Sequence, residues 1–264
     1  MLRMVNVTKV FNRGTVNGRT ALTDVSLTIS DGDFVTIIGG NGAGKSTLLN
    51  CVAGVYPIDQ GRILINETDI TKLSEHRRAK YLGRVFQDPM MGTAADMTIE
   101  ENLALALRRG KRRTLHWGVT VKEREQYKAL LTRLGLGLET RVTAKVGLLS
   151  GGQRQALTLL MATLEQPKIL LLDEHTAALD PKTAEKVLAI SDEFIHEDHL
   201  TTLMVTHNMR NALQYGNRLL MMHEGRVLVD IHEEEKKRLA VDDLLALFEQ
   251  ASGEVMASDR ALLS

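Results

Sequence analysis

Apolar runs and turn signals alternate along the first part of the chain. The run FVTII (34–38) is unbroken and β-branched, which is typical of a parallel strand buried on both faces. A helix is predicted after it, from about Lys45 to Ala53, with Gly54 placed to end it. Asn17-Gly18 is a hairpin turn signal. Residues 1–88 are therefore predicted to be rich in strands.

Helical spacing dominates from residue 89 to about 166. Thr98 with Glu101, and Ser150 with Gln153, form capping boxes, in which paired side chains satisfy free N–H groups at a helix start. A further helix is predicted from an apolar stripe that consists of Tyr127, Leu130, Leu131 and Leu134.

Two glycines interrupt the second of these helix starts, in LLSGGQRQALTLL (148–160). Gly151 and Gly152 each cost up to about 1 kcal/mol relative to alanine in a helix, and less near its end. The capping pattern and the glycines therefore oppose each other, and the residues alone give no reason for it.

Strand signals return with KILLLD (168–173) and TTLMVTH (201–207), and a helix is predicted between them. This strand–helix–strand order indicates a parallel sheet. An amphipathic segment around Val241 to Phe248 precedes a polar tail.

Charge and cysteine content limit the possible functions of the chain and indicate its cellular compartment. Lys and Arg (33) balance Asp and Glu (33), which argues against non-specific nucleic-acid binding as the main role. The single Cys51 excludes an internal disulfide and fits a reducing compartment. MLRMVNVTKVFNRG turns polar too soon for a signal peptide, and no apolar run approaches the roughly 20 residues of a membrane span. A cytoplasmic protein is expected, which docks on the inner face of the cell membrane through a membrane protein.

A phosphate-binding loop is the most specific chemical motif. GGNGAGKST has the pattern G-x-x-x-x-G-K-[ST] and stands between a predicted strand and a predicted helix. Its backbone N–H groups would face phosphates, Lys45 would reach the β- and γ-phosphates, Ser46 would bind Mg²⁺, and Thr47 would donate near the α-phosphate. The alternative is a glycine-rich turn with a solvated lysine. The candidate residues are Gly39, Gly40, Asn41, Gly42, Ala43, Gly44, Lys45, Ser46 and Thr47.

Polar residues follow three other strand-like runs. Asp173 and Glu174 end ILLLDE, where one acid can serve a metal while the other orients or deprotonates water. His207 ends LMVTH, and ligands of open parallel sheets bind beyond the carboxyl ends of the strands. Gln87 in RVFQDP is either a ligand of Mg²⁺ or water, or the cap of a turn. The alternative for Asp173 and Glu174 is a surface turn, and the alternative for His207 is a structural histidine.

Taken together, these motifs resemble the nucleotide-binding subunit of an ATP-binding-cassette (ABC) transporter, over residues 2 to about 230 and in family order. GGNGAGKST resembles Walker A, FQDP the Q-loop, LSGGQ the signature, ILLLDE Walker B, AALD (177–180) the D-loop and VTH the switch region. Phe11 matches the aromatic residue that stacks on adenine. His175 replaces the usual proline after the Walker B glutamate, and Ala177 a common serine, so the D-loop geometry is open to change.

The resemblance implies an α/β P-loop NTPase fold with a mostly parallel core sheet, an N-terminal antiparallel β region and an inserted α-helical subdomain. It implies one ABC ATPase domain at 1–230, with a nucleotide-binding core at 1–88 and 167–230 and a helical signature subdomain at 89–166. A C-terminal helical tail follows at 231–264.

The resemblance also assigns roles, with ATP and Mg²⁺ as ligands. Phe11 and the phosphate-binding loop bind ATP. The catalytic set is Glu174, His207, Lys45 and Gln87, and the metal set is Ser46, Gln87 and Asp173.

In this family the signature of one subunit closes over ATP held by another, in a head-to-tail homodimer. Ser150 would then donate its hydroxyl and Gly152 its N–H to the γ-phosphate, and the glycines would allow close approach of the backbone. The implied set at this interface is Ser150, Gly151, Gly152 and Gln153, with Asp180 in the D-loop.

The leading interpretation is an ATPase that drives a membrane permease. The compact chain is more similar to bacterial importers, which work with permease subunits and an extracellular substrate-binding protein, and an amino acid is the suggested cargo. An exporter ATPase, an iron–sulfur assembly ATPase and a binding module without turnover are the alternatives. No nucleic-acid partner is expected. The basic stretch RRGKRRTLHWGVT (108–120) is either a solvated loop or a contact with a partner or lipid headgroups.

Overall fold

The computed structural model describes residues 1–109 and 118–252. Most of the basic stretch, residues 110–117, and the polar tail from residue 253 lie outside the described residues. The chain divides into two compact units. The first unit contains residues 1–78 and those from 200 onward, and the second contains residues 79–199. The sequence-based boundaries after residues 88, 166 and 230 stay predictions.

Strands of both units are numbered in chain order. They are β1 (Leu2–Phe11), β2 (Arg19–Ile29), β3 (Phe34–Ile38), β4 (Gln60–Ile65), β5 (Thr68–Asp69), β6 (Leu82–Val85), β7 (Ile169–Asp173), β8 (Thr202–Val205), β9 (Arg218–His223) and β10 (Arg226–His232).

The helices are numbered in the same way. They are α1 (Lys45–Ala53), α2 (Glu75–Arg78), α3 (Ile99–Leu107), α4 (Val121–Thr132), α5 (Gly151–Thr163), α6 (Pro181–Glu197), α7 (Met209–Gln214), α8 (Glu233–Lys236) and α9 (Val241–Ser252), with short 3₁₀ turns at Leu138–Thr140 and Val146–Leu148.

Two sheets organise the first unit. One is antiparallel, in the order β2-β1-β4-β5. In the other, β3 lies between its parallel neighbours β8 and β9, and β10 pairs antiparallel with β9. All five residues of β3 are buried, as its unbroken apolar run predicts. The antiparallel N-terminal region and the parallel core are both confirmed.

The hairpin between β1 and β2 is present, but its turn is longer than the dipeptide signal indicates. Phe11 pairs with Arg19, so residues 12–18 form the connection. Two successive turns build it, because Thr15 N–H donates to Asn12 O (3.1 Å) and Gly18 N–H donates to Thr15 O (3.0 Å). Asn17-Gly18 therefore closes a longer loop instead of forming a two-residue turn.

The amphipathic segment near the C-terminus is confirmed as α9, and it packs into the core of the first unit. Leu244 and Phe248 are buried in a cluster with residues of β3, α7, β9 and β10. The Phe248 ring also meets the His223 ring nearly perpendicularly, at 5.4 Å between centroids. Residues beyond 230 thus complete the apolar core of this unit.

Lys236 of α8 ties the same region to the sheet. It is buried, and its Nζ donates to Tyr215 O and to Gly216 O (2.9 Å) just beyond the end of α7. Burial lowers the pKa of Lys236 to about 8. The carbonyl groups beyond α7 are therefore satisfied by a side chain that no sequence motif marked.

The second unit pairs β6 parallel to β7, and α5 packs against β6. Capping boxes start α3 at Thr98, α5 at Ser150 and, without having been predicted, α4 at Thr120. Three residues of the predicted stripe, Tyr127, Leu131 and Leu134, are buried, and Leu130 is half-buried. Across the described ranges, no helix has the length and apolar character needed to cross a membrane.

Candidate functional site

The first unit carries the phosphate-binding loop between β3 and α1. Gly44 occupies the N-cap of α1 with a φ of 101°, and a Cβ there would lie 2.6 Å from Ala21 O. Gly39 has a φ of 148°, so both positions need glycine for their backbone conformation. Helix α1 begins at Lys45 and its C-cap is Gly54, in agreement with the sequence. Its first N–H groups have no acceptor within the helix.

Lys45 lies within this loop. Only 7% of the residue is exposed, and its Nζ donates to Gly39 O (2.6 Å) and Gly40 O (3.1 Å). Ser46 and Asn41 are exposed, whereas Thr47 is half-buried. The loop therefore surrounds one buried ammonium group with its own carbonyl groups and presents hydroxyls at the helix start. A buried ammonium group beside the N–H groups of a helix start suits the binding of a polyphosphate.

His207 follows the strand next to this loop. Because β3 and β8 are parallel, with Ile37 opposite Val205, Gly39 and His207 leave the same edge of the sheet. His207 is exposed and precedes Asn208, the N-cap of α7, whose side chain accepts from Asn211 N–H (3.1 Å). The structure thus brings the predicted histidine and the loop to one edge.

Phe11 is joined to the loop through a residue that the sequence did not reveal. Arg19 pairs with Phe11 across the hairpin, and its guanidinium donates to Gly42 O at 3.2 Å. The Phe11 ring is half-buried and perpendicular to the Tyr56 ring, with 5.1 Å between centroids. Arg19 and Tyr56 were missed because both contacts join residues that are far apart in sequence.

The second unit carries the acidic pair at the end of β7. Asp173 is the last residue of the strand, and one of its oxygens lies 3.6 Å from Arg84 Nη2 of β6. Glu174 follows with a φ of 45°, a conformation that non-glycine residues seldom adopt and that often occurs at functional sites. The strand therefore ends at Asp173, and the chain turns at Glu174.

Gln87 leaves the same edge as Asp173, because β6 and β7 are parallel and Val85 lies opposite Leu172. Its side chain is exposed. The preceding carbonyl group, Phe86 O, accepts a hydrogen bond from Gln155 Nε2 of α5 at 2.9 Å. The start of the Q-loop is therefore tied to the signature helix by a buried side chain whose role the sequence did not show.

His175, which replaces the usual proline, is buried. Its Nε2 lies 3.0 Å from Ser191 Oγ of α6, and that hydroxyl donates to Val187 O (2.8 Å). Burial lowers the pKa of His175 to about 4, so the ring is neutral near pH 7. Because the serine proton is used, the neutral ring donates from Nε2. A hydrogen bond thus links the segment after Glu174 to α6.

Asp180 of the D-loop is the N-cap of α6. It accepts from Thr183 N–H at 3.1 Å, Pro181 takes the first helical position, and the hydrogen bonds from Thr183 lower the pKa of Asp180. Asp180 therefore caps the start of α6, which is a structural role within its own unit.

The signature residues form the start of α5. The capping box is present: Ser150 N–H donates to Gln153 Oε1 (3.2 Å) and Gln153 N–H to Ser150 Oγ (3.3 Å). Ser150 and Gly151 are exposed, and Gly152 is buried. A Cβ on Gly152 would lie 2.1 Å from Thr183 Cγ2 of α6, so a side chain at this position would force the threonine methyl group to move. Packing within the unit therefore favours glycine at this position, in addition to the expected close approach by a ligand.

The first two arginines of the basic stretch have local partners. Arg108 Nη2 donates to Gly118 O (2.8 Å) and to Glu123 (3.2 Å). Arg109 Nη2 lies 3.5 Å from Ala162 O, and burial lowers the pKa of Arg109. Arg108 is exposed, but Arg109 is half-buried, so this part of the stretch is not a uniformly solvated surface.

Comparison with known proteins agrees with these motifs. The family model described as ABC transporter matches residues 22–177. The tyrosine transport ATP-binding protein of Clostridioides difficile (strain R20291) is 47% identical over 251 residues, which cover 95% of this chain and all of that protein. A phosphonates import ATP-binding protein PhnC of Lactococcus lactis subsp. cremoris (strain SK11) is 33% identical, over 92% of this chain and 98% of that one.

Solved structures show the same fold. The dimeric, post-hydrolysis ATP-binding cassette MJ0796 bound to ADP and Pi superimposes with a TM-score of 0.74 at 31% identity, over 88% of this chain and 99% of that chain. The ADP conformation of the cassette MJ1267 gives a TM-score of 0.76 at 28% identity, over 94% and 98%. The chain therefore belongs to the ABC transporter family, as one of its ATP-hydrolysing cassettes with the P-loop NTPase fold.

Proposed function

We propose that this chain is the ATPase subunit of an ABC importer and that it powers uptake of a small solute, an amino acid such as tyrosine. The observation that carries the proposal is the 47% identity to a tyrosine transport ATP-binding protein, which covers 95% of this chain and all of that protein. The phosphonate-import relative supports an importer but is more distant, at 33%. The partners are membrane-spanning permease subunits and an extracellular substrate-binding protein.

ATP binds at the phosphate-binding loop in this proposal. Phe11 stacks on adenine, Lys45 moves from the loop carbonyl groups to the β- and γ-phosphates, and the N–H groups that start α1 donate to phosphate oxygens. The buried position of Lys45 supports its role, because a desolvated ammonium group interacts strongly with an anion. Arg19, beside Gly42, adds positive charge near the loop.

The donor atoms available fit Mg²⁺ when ATP accompanies it. Within the described residues, no group of three or more His, Cys, Asp or Glu side chains could hold a metal alone. Mg²⁺ is usually held by one or two carboxylates together with substrate phosphates and water. Ser46, Gln87 and Asp173 supply hydroxyl, amide and carboxylate oxygens of this kind. When bound, the ion neutralises charge on the phosphates.

Hydrolysis uses groups at the ends of β7 and β8. Glu174 accepts a proton from the attacking water, and its unusual backbone conformation is of a kind that often occurs at functional sites. His207 donates a hydrogen bond to the γ-phosphate, and Gln87 contacts the metal or the water. Charge that develops on the phosphoryl oxygens is stabilised by Lys45.

A second copy of the chain completes the site in this proposal. Ser150, Gly151, Gly152 and Gln153 of one copy close over ATP held by the other, with the D-loop residue Asp180 at the same interface. The exposed start of α5 supports this, because its N-terminal positive potential favours an anion. ATP binding then joins two copies, hydrolysis separates them, and both movements act on the permease. The dimeric MJ0796 cassette is a precedent among the structural relatives.

Uptake of labelled tyrosine tests the cargo. In cells that encode this chain, its deletion should abolish high-affinity uptake, and the wild-type gene should restore it. Lys45→Ala should fail to restore uptake although the protein accumulates, whereas Arg133→Gln, at a surface ion pair of the second unit, should restore it. Unchanged tyrosine uptake in the deletion strain would reject this cargo. A selective loss of phosphonate uptake would instead favour a phosphonate as the cargo.

A further inference from the structure

Arg84 and Asp173 form an ion pair between the two parallel strands of the second unit. Nη2 of Arg84 lies 3.6 Å from Oδ2 of Asp173, and the two side chains are only 14% and 15% exposed. Arg84 stands opposite Leu171, two residues before the aspartate, so the arginine reaches along the sheet toward the strand end. The Walker B carboxylate thus has a positively charged neighbour from its own unit.

A second contact holds the guanidinium in place. Arg84 Cζ lies 4.5 Å from the centroid of the Phe86 ring, in a cation–π arrangement. Phe86 is itself fixed by the hydrogen bond from buried Gln155 to its carbonyl oxygen. The arginine is therefore supported by its surroundings as well as by the aspartate.

This pair has a consequence for a divalent cation. Arginine keeps its charge at any pH at which the protein is folded, so a metal ion that approaches Asp173 also approaches a fixed positive charge. In a partly buried site that repulsion is poorly screened. Within the described residues, no group of three or more His, Cys, Asp or Glu side chains could hold a metal ion, and nucleotide phosphates are anionic ligands that would offset this repulsion.

We propose that Arg84 is a positioning residue that serves as the counter-ion of Asp173 when no metal is bound, and that it weakens Mg²⁺ binding until nucleotide phosphates contribute. The proposal rests on the proposed function, since it takes Asp173 as a metal ligand. Its effect is to make metal binding conditional on nucleotide. The arginine holds the carboxylate in place between turnovers and opposes Mg²⁺ that arrives alone.

The test compares affinity for the non-hydrolysable analogue AMPPNP in EDTA and in excess Mg²⁺, by calorimetry on the full-length chain. The ratio of the two affinities reports how strongly the metal assists nucleotide binding. Arg84→Gln should lower this ratio, by up to about ten-fold, because Mg²⁺ then binds near Asp173 without nucleotide and the advantage that the phosphates provide becomes smaller. Arg84→Lys keeps the charge and should stay near the wild-type ratio. Arg133→Gln should do so as well, because it removes an arginine whose partner is Glu197 in a surface ion pair.

A double-mutant cycle identifies the partner through which Arg84 acts. In an Asp173→Asn background, Arg84→Gln should no longer change the ratio. A ratio that rises or stays constant in the Arg84→Gln variant would overturn the proposal, and so would an undiminished effect in the Asp173→Asn background. Failure of the wild-type chain to bind AMPPNP in either buffer would instead reject the proposed nucleotide site. Circular dichroism of each variant verifies that it is folded.

Discussion

Gly152 gives the sharpest test of how the signature helix is built. A Cβ at this position would lie 2.1 Å from Thr183 Cγ2, whereas a normal carbon–carbon contact is about 3.5–4.0 Å. Overpacking of this kind typically costs about 1–3 kcal/mol. Alanine gains up to about 1 kcal/mol over glycine in a helix, and less in its first turn. Gly152→Ala should therefore destabilise the protein by about 1–2 kcal/mol.

Removal of the opposing methyl group should relieve the clash. The next atom, Thr183 Cβ, would lie 3.6 Å from the new Cβ, which is ordinary contact. Thr183→Ser deletes the methyl and keeps the backbone N–H that caps α6 through Asp180. The double variant Gly152→Ala/Thr183→Ser should thus recover about 1–2 kcal/mol relative to the sum of the single changes.

Urea denaturation followed by far-UV circular dichroism measures all four proteins of this cycle. Thr183→Ser alone is the matched control, with an expected loss below about 1 kcal/mol. A Gly152→Ala protein as stable as wild type, or strictly additive effects in the double variant, would refute the packing explanation. The glycine would then be required only by what approaches the helix from outside the unit.

Three further predictions concern the two units separately. Lys45→Ala should abolish measurable ATP binding in calorimetry, because the ammonium group of the loop is lost; unchanged affinity would reject its role. Phe11→Ala should weaken ATP and ADP equally, by about 1–3 kcal/mol, with Phe11→Tyr nearly silent; intact affinities would place adenine elsewhere. His175 is neutral when folded, with a pKa of about 4 against 6.5 in the unfolded chain, so it contributes stability above pH 6.5 that is lost as the pH falls toward 4. In urea titrations without nucleotide or metal, the wild-type protein should lose about 2 kcal/mol more stability than His175→Asn when the pH falls from 7.5 to 5. An equal loss in the two proteins would contradict this.

Local sequence patterns predicted much of the fold. The bounds of α1, the buried run of β3 and the caps at Thr98 and Ser150 follow from signals within a few residues. Polar residues at the ends of three strands were predicted for the same reason, since a strand and the residue after it are adjacent in sequence. They are Gln87, Asp173, Glu174 and His207. These features need no knowledge of tertiary packing.

Contacts between distant residues could not be predicted in this way. The pairing of Arg84 with Asp173, the hydrogen bond from Gln155 to Phe86 and the space occupied by Thr183 all depend on which helix or strand lies alongside another. A short dipeptide signal likewise failed to give the length of the β1–β2 connection, because two linked turns bring the strands together there.

We expect ATP to join two copies of this chain and Glu174 to be needed for their separation. Sedimentation velocity of the Glu174→Gln variant, with and without ATP and Mg²⁺, tests it most directly. Glutamine keeps the shape of the side chain but loses its basicity, so hydrolysis should fall by about 10²–10⁴-fold while binding persists. We expect a monomer without nucleotide and a stable dimer with ATP. A variant that binds ATP and still sediments as a monomer would contradict this expectation.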